Sequence, residues 1–487
     1  MYMETVTLVQ LTVVVLTIYA IVVAVFLVLE NRSPQSTLAW LPVLLLLPGI
    51  GLFIYLLAGR TWRAFSHRGE LVKVVGKSNM SARVRKVLQA QPAHLERLAK
   101  LGHLEYTRLA TLLWNSGRSL LTFHNELEIL QDASEKYPRL LGDIENAEQF
   151  VHMLYYEWAS DPFTEKLLAL MIEKVKQGVE IRIIYDPAGS KAMLSKDYLR
   201  RVHQAGIQMQ AYSPLYSIHN ISYRNHRKVV IIDGHVAYAG GLNMTEKHLT
   251  GPGAGFTGWR DTHSRVRGEA ALALQGVFAA MWYNTTKEST FDEKYFPVPD
   301  QDLPNLPIQV VSAGPDSQWS VIRKCYLTMI KLAHHHVYIQ SPFLVLDESM
   351  VEVAKSAAMS GVDVTFMIAP KGAETDIAYR EGMTYAKDLV DAGVKIMLYQ
   401  GAYFHSKTVC VDSIMCSIGS ANMDIRSFNI DYEANLVIYD PKVTEELEQD
   451  FKNDLQSCVP FSVEEYEQRS FGGRLSDSVK RLVSPLL

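Results

Sequence analysis

One short pattern occurs twice in this chain, in the same register each time. The first copy is His226-Arg227-Lys228, four residues, then Asp233; the second is His405-Ser406-Lys407, four residues, then Asp412. Each runs on to a Gly-Gly/Ser-x-Asn tail, Gly240-Gly241-Leu242-Asn243 and Gly419-Ser420-Ala421-Asn422, after the same gap from the Asp. Two long patterns in step imply an internal duplication. The fold they allow is one of two similar halves, with a single site assembled where the copies meet.

The surroundings of the motifs repeat as well. Phe150–Tyr156 reads as a strand, 164–177 as an amphipathic helix and Gly178–Asp186 as a second strand. The later half offers His336–Gln340, a helix near Ser349–Met359 and Gly361–Ile368. Ala205-Gly206-Ile207 and Ala392-Gly393-Val394 then lead each half into another strand. Strands alternating with helices predict βαβ units, a largely parallel sheet and helices on its faces, hence an α/β fold. The β-branched runs Val229–Ile232 and Thr408–Val411 place each motif at the start of a strand. Alternation along a strand puts His226 with Lys228, and His405 with Lys407, on one face. Asp233-Gly234 is a strong hairpin-turn signal and Asp412-Ser413 a weaker one. The returning strand is expected to bring Asn243 or Asn422 back beside its His/Lys pair.

Two imidazoles, two ammonium groups and two amides in one place suit phosphoryl chemistry. Lys228, Lys407, Asn243 and Asn422 supply hydrogen-bond donors and positive charge for the non-bridging oxygens of a phosphate. Ser420 would add a hydroxyl to that set on one side only, since Gly241 takes its place in the first copy. A neutral imidazole can attack phosphorus while the second protonates the leaving oxygen. The residues alone leave open which histidine does which. Asp261 in Trp259-Arg260-Asp261 and Glu433 in Asp431-Tyr432-Glu433 are the carboxylates expected to fix the ring tautomers. Asp233 and Asp412 belong to the motif, although their turn positions favour a structural role. With the lysines carrying the positive charge, no metal and no cofactor is expected. A formal net charge of −4 argues against a nucleic-acid partner. The four cysteines lack C-x2-C spacing, which disfavours zinc and a disulfide framework.

The N-terminus is of another kind. Val6–Leu29 and Leu38–Gly59 are uncharged apolar runs, each long enough to span a bilayer as a helix. They predict a transmembrane hairpin over residues 1–59, with Pro42 and Pro48 as the features against the second span. Residues 60–125 form a basic juxtamembrane and helical region: Arg60, Arg63, Arg68, Lys73, Lys77, Arg83, Arg85 and Lys86 stand against the single acid Glu70 at its start. The positive-inside bias puts all that follows in the cytoplasm, against anionic lipid. The two α/β domains then occupy 126–305 and 306–487.

The twin H-x-K-x4-D motifs with their G-G/S-x-N tails resemble the phospholipase D superfamily. Asn31-Arg32-Ser33-Pro34, Thr37–Trp40, Leu47–Gly51, Tyr55–Gly59 and the terminal Ser484–Leu487 are similar to bacterial cardiolipin synthases of the major, two-helix type. The resemblance covers essentially the whole chain. It implies two tandem phospholipase D-like domains around one shared active site in the bacterial inner membrane. It also implies a phosphatidyltransferase that turns two phosphatidylglycerols into cardiolipin and glycerol. His226 would carry the phosphatidyl group and His405 would act as acid and base; His226, Lys228, Asp233, His405, Lys407 and Asp412 form the motif set. A hydrolase giving phosphatidic acid is the competing reading, followed by a nuclease; a lipid-binding scaffold without activity would be expected to have lost motif residues. Weaker features are the tract His334–His336, the glycine-rich Gly251–Gly258, the aromatic Tyr155–Trp158, Pro342-Phe343 and Tyr403-Phe404, residues 220–225, and the tail 475–483.

Overall fold

The computed structural model describes residues 2–29, 34–55, 82–213, 223–253, 255–317, 319–370, 376–470 and 472–473. The basic residues Arg60–Lys77, residues 220–222 and the tail 475–483 lie outside them.

A helix runs over Tyr2–Leu29, its side chains described from Val14 onward. The second apolar run is broken: Pro34–Leu46 is helical, then Gly49 turns at φ 85° and Ile50–Ile54 resumes the helix. The interruption falls at Pro48-Gly49, where proline removes a donor and glycine takes the left-handed conformation. Pro42, by contrast, sits inside the helix. These segments share a small core of Val23, Leu27, Leu44 and Tyr55, and the Tyr19 hydroxyl donates to the Leu44 carbonyl at 3.1 Å. Among the described residues no helix is long and apolar enough to cross a membrane.

The α/β part is built on one sheet. In the first half its strands are β1 (Leu120–Leu130), β2 (Phe150–Tyr155), β3 (Glu180–Tyr185), β4 (Gln208–Ala211), β5 (Val229–Ile232), β6 (Val236–Gly240), the short β7 (Trp259–Arg260) and β8 (His263–Gly268). The second half gives β9 (Asn305–Ala313), β10 (His336–Gln340), β11 (Asp363–Ile368), β12 (Lys395–Tyr399), the short β13 (Tyr403–Phe404), β14 (Thr408–Val411), β15 (Met415–Gly419), β16 (Glu433–Ile438) and β17 (Cys458–Pro460). The order across the sheet is β17-β12-β11-β10-β14-β15-β16-β9-β1-β8-β6-β5-β2-β3-β4. It reads almost the same from either end, with β1 antiparallel to β9 at the middle. The duplication therefore appears as a pseudo-twofold axis through that seam.

The expectation of a largely parallel sheet needs correction. Only β2-β3-β4 and β10-β11-β12 run parallel, as βαβ crossovers require; the other neighbours are antiparallel. The cause is local: each motif strand ends in a tight turn and returns beside itself, β5 to β6 and β14 to β15. Both turns have left-handed residues at both central positions, Asp233 (φ 52°) with Gly234 (φ 72°) and Asp412 (φ 51°) with Ser413 (φ 55°). The weaker turn signal thus makes the same turn as the strong one. Glu448 supports it by accepting from the Ser413 amide and hydroxyl at 2.9 and 2.7 Å.

Helices cover both faces. Ala133–Glu145, Pro162–Lys176 and Lys196–Gln204 bury apolar side chains on one face of the first half, and Val321–Leu332, Glu348–Met359 and Asp376–Val390 do so on the second. The opposite face carries a core common to both halves, joining Leu274 and Phe278 of the helix Glu269–Thr286 to Ile231, Cys416 and Leu436. Cys325, Cys410 and Cys416 are free and buried.

Candidate active site

Two short strand pairings bring the halves together. β7 pairs in parallel with β13, Trp259 against Tyr403 and Arg260 against Phe404. On the other side Asn225 bridges Tyr432, and the His226 amide donates to the Tyr432 carbonyl at 2.9 Å. Each pairing lays the residue before one motif beside the residue before the other half's carboxylate. The carboxylates consequently cross over: His226 Nδ1 lies 2.9 Å from Glu433 Oε1, and His405 Nδ1 lies 2.8 Å from Asp261 Oδ2. With Nδ1 engaged on a buried acid, each ring presents Nε2 to the site.

The expected groups converge. Lys228 and Lys407 are buried, and each ammonium donates to the carbonyl of its own histidine two residues back. Lys407 is among the charges that depress both His226 and Lys228, which places the two motifs within electrostatic reach of one another. Burial, opposed by Glu433 and reinforced by Lys407, lowers the Lys228 ammonium to about 7. Burial likewise lowers the His226 imidazole against the pull of Glu433. His405 falls well below its usual value through burial together with Lys407 and Lys228. The free site thus holds neutral imidazoles among buried lysines and invites an anion.

The two carboxylates differ. Burial acts to raise Glu433, but His226, Lys228 and the Ser420 hydroxyl outweigh it and hold the group below its ordinary value. Asp261 is raised because burial outweighs Lys407 and His248. This settles where Ser420 acts. Its hydroxyl donates to Glu433 Oε2 and accepts from the Ala434 amide at 3.0 Å, so it serves the carboxylate and not a phosphate oxygen, a correction to the sequence expectation. In the first half the matching position is Gly241, where a Cβ would come within 1.9 Å of Asp261 Oδ1. The missing side chain is the space that Asp261 fills.

Asp233 and Asp412 do not reach the site, a second correction to the motif set. They lie at the far end of their strands, about 16 Å from the lysines at roughly 3.3 Å per residue. Asp233 accepts from the Glu148, Gln149 and Phe150 amides at 2.7–2.8 Å. Asp412 accepts from the amides of His334, His335 and His336 at 2.6–2.8 Å. Each carboxylate ties its hairpin turn to the start of the neighbouring strand, β2 or β10. His336 meets Glu448 at 2.7 Å and His334 meets Glu105 at 3.2 Å, so the histidine tract is spent on structure. Among the described residues no cluster of His, Cys, Asp and Glu is arranged to hold a metal ion.

Asn243 and Asn422 are buried beside the motifs. Asn243 Oδ1 accepts from the Glu157 amide at 3.2 Å, while Asn422 Oδ1 has no hydrogen-bond partner among the described residues. The aromatic segments divide between wall and core. Tyr156 sets its ring edge-on to His226 at 5.1 Å, Trp259 lies 5.2 Å from His405, and Tyr403 stacks on Trp259 at 4.2 Å. Trp158 and Phe404 belong to the core.

A third lysine was not expected. Lys136 is fully buried, with Nζ 2.9 Å from the Leu242 carbonyl and 3.2 Å from the Tyr155 hydroxyl. Burial lowers its pKa well below the usual range, partly offset by Asp261. In the second half Tyr326 makes the equivalent bond, to the Ala421 carbonyl at 3.2 Å. The signal was present in the sequence: Lys136 sits in the apolar stripe of Ala133, Leu140 and Ile144 at helical spacing.

The family profile described as "Cardiolipin synthase, PLD-like domain" matches residues 140–253 and 326–455, and "Phospholipase_D-nuclease N-terminal" matches 15–60. The cardiolipin synthase of Oceanobacillus iheyensis is 36% identical over 466 residues, covering 94% of this chain and 95% of that one. That of Listeria monocytogenes serotype 4a is 36% identical over 486 residues, covering 98% and 99%. Among solved structures, the phosphatidylserine synthase of Haemophilus influenzae Rd KW20 shares the fold with a TM-score of 0.60. It is 14% identical and covers 79% of this chain and 100% of its own.

Proposed function

We infer the reaction from one premise: the chain belongs to the cardiolipin synthase family of phospholipase D-like proteins. It is a phosphatidyltransferase, and its reaction joins two phosphatidylglycerols into cardiolipin and glycerol. The observation that carries the residue assignment is the crossed pair of buried carboxylate–imidazole bonds, which aims two Nε2 atoms at a space flanked by two lysines.

His226 Nε2 attacks the phosphorus of the donor lipid; an N–P bond forms and the bond to the headgroup glycerol oxygen breaks. His405 gives that oxygen its proton. The hydroxyl of the second phosphatidylglycerol then attacks in line, returns a proton to His405 and releases His226. Lys228, Lys407, Asn243 and Asn422 hold the non-bridging oxygens throughout. The choice of nucleophile is supported by the carboxylates: Glu433, held below its ordinary value by His226, Lys228 and the Ser420 hydroxyl, is the better partner for an imidazole that becomes cationic when phosphorylated. Asp261 keeps His405 in the tautomer that exchanges protons at Nε2. A substrate phosphate brings negative charge beside His405 and lifts its pKa from the depressed resting value towards the range useful for an acid.

The protein acts at a membrane. We read the apolar segments of residues 1–59 as a hairpin of two spans with the α/β part on the cytoplasmic side. The reading rests on the length of the apolar runs, the short link between them and the basic residues that follow. Purified protein given phosphatidylglycerol in mixed micelles is expected to release glycerol and cardiolipin in equal amounts. Phosphatidic acid without cardiolipin would overturn the assignment in favour of hydrolysis.

A further inference from the structure

The acceptor poses a demand that the two His/Lys pairs do not meet. Its attacking hydroxyl lies one glycerol away from a second phosphodiester, which carries its own negative charge into the site. In-line displacement puts both the leaving and the entering oxygen opposite the nucleophile. With His226 as nucleophile, the second anion arrives on the flank of His405.

We propose that Lys247 is the phosphate-binding residue for the acceptor lipid, an inference that rests on the transfer reading above. Lys247 Nζ stands 5.5 Å from the centre of the Trp259 ring, whose centre is 5.2 Å from that of His405. Its charge is among those acting on His405. The ammonium is partly exposed and is steered by Glu157 at 2.7 Å, which is bonded in turn to Asn243. An ammonium has three N–H donors, so one spent on Glu157 leaves others for a phosphate oxygen.

The other flank carries a cation at the equivalent position. Arg426 stands four residues beyond Asn422, as Lys247 stands four beyond Asn243. Arg426 is held by Asp431 at 3.2 Å and also lies in the field of Asp424. Each cation thus has an ion-paired acid among the described residues, and Lys247 is the one whose charge acts on His405, on the acceptor's side. The twofold scaffold therefore sets Lys247 beside Trp259 and His405, on the side from which the acceptor comes.

The test compares two acceptors for one labelled donor, phosphatidylglycerol itself and the uncharged alcohol 1-butanol. Lys247→Gln is expected to slow transfer to phosphatidylglycerol by roughly 10- to 100-fold, the loss of one charge-assisted hydrogen bond. Transfer to 1-butanol should fall by far less, so that the ratio of the two acceptors shifts by at least about tenfold, and Lys247→Arg should restore the lipid acceptor. Equal loss with both acceptors, or no loss with either, would overturn the inference. A wild-type protein that makes phosphatidic acid but no cardiolipin would overturn the transfer reading and this inference with it. Cardiolipin formation by the wild type with an unchanged acceptor ratio in Lys247→Gln overturns this inference alone.

Discussion

Gly241→Ala inserts a single carbon into the site, and its effect can be worked out from two distances. The new Cβ would lie 1.9 Å from Asp261 Oδ1 and 2.6 Å from its Cγ, where ordinary contact begins at 3.4 Å. The carboxylate must retreat by about 1.5 Å, and its 2.8 Å bond to His405 Nδ1 goes with it. A displacement of that size in a reacting constellation costs on the order of 100-fold in rate. The loss should appear in kcat for cardiolipin formation, because Asp261 orients the acid/base and does not touch the lipid. The second half indicates the cure. Ser420 and Glu433 occupy the positions of Gly241 and Asp261, as the equivalent backbone bonds Ser420 to Ala434 and Gly241 to Thr262 show. A Gly241→Ser, Asp261→Glu double variant rebuilds that arrangement in the first half and should recover at least about tenfold over Gly241→Ala. The assay is label transfer from phosphatidylglycerol in micelles, with a thermal melt to confirm folding. A folded Gly241→Ala protein with wild-type turnover would refute the argument.

Other outcomes follow from the same geometry. His405→Asn should leave labelled phosphate covalently on the protein when the donor is phosphatidylglycerol, and His226→Asn should leave none; the opposite pattern would exchange the two roles. The rate at limiting lipid should fall as pH rises through about 7, because Lys228 loses its proton there and with it the charge that holds the phosphate. A profile still rising well above that pH would show that its ammonium is not needed. Asp233→Ala and Asp412→Ala each strip three backbone amides of a charged acceptor, which should cost about 2–4 kcal/mol of stability. Turnover of the folded protein should change little, and a large drop in kcat without a lower melting temperature would put these carboxylates back in the chemistry.

Much of the site was legible because its signals are local. Period-two alternation places His226 with Lys228, and the turn residues explain why the chain comes back to Asn243. The remainder depends on contacts between distant parts of the chain. Nothing near Asp261 says that it serves His405 rather than His226, since the choice is made by pairing β7 with β13 across the two halves. Ser420 reads as a phosphate ligand until Glu433 is found against its hydroxyl. The antiparallel centre of the sheet was implicit in two hairpins, but a repeated βαβ pattern outweighs them when strands are judged singly. Lys136 is the clearest omission: a charge at a core spacing is a local conflict, and such conflicts gather at working sites.

The crossing of the carboxylates also bears on how the protein is made. His226 emerges from the ribosome long before Glu433, and Asp261 long before His405, so neither imidazole has its acid until almost the whole chain exists. The nascent first half, which holds His226 without Glu433, therefore cannot begin a transfer it has no means to finish. Reactivity is thus withheld by the order of synthesis itself. It switches on when the last large segment docks.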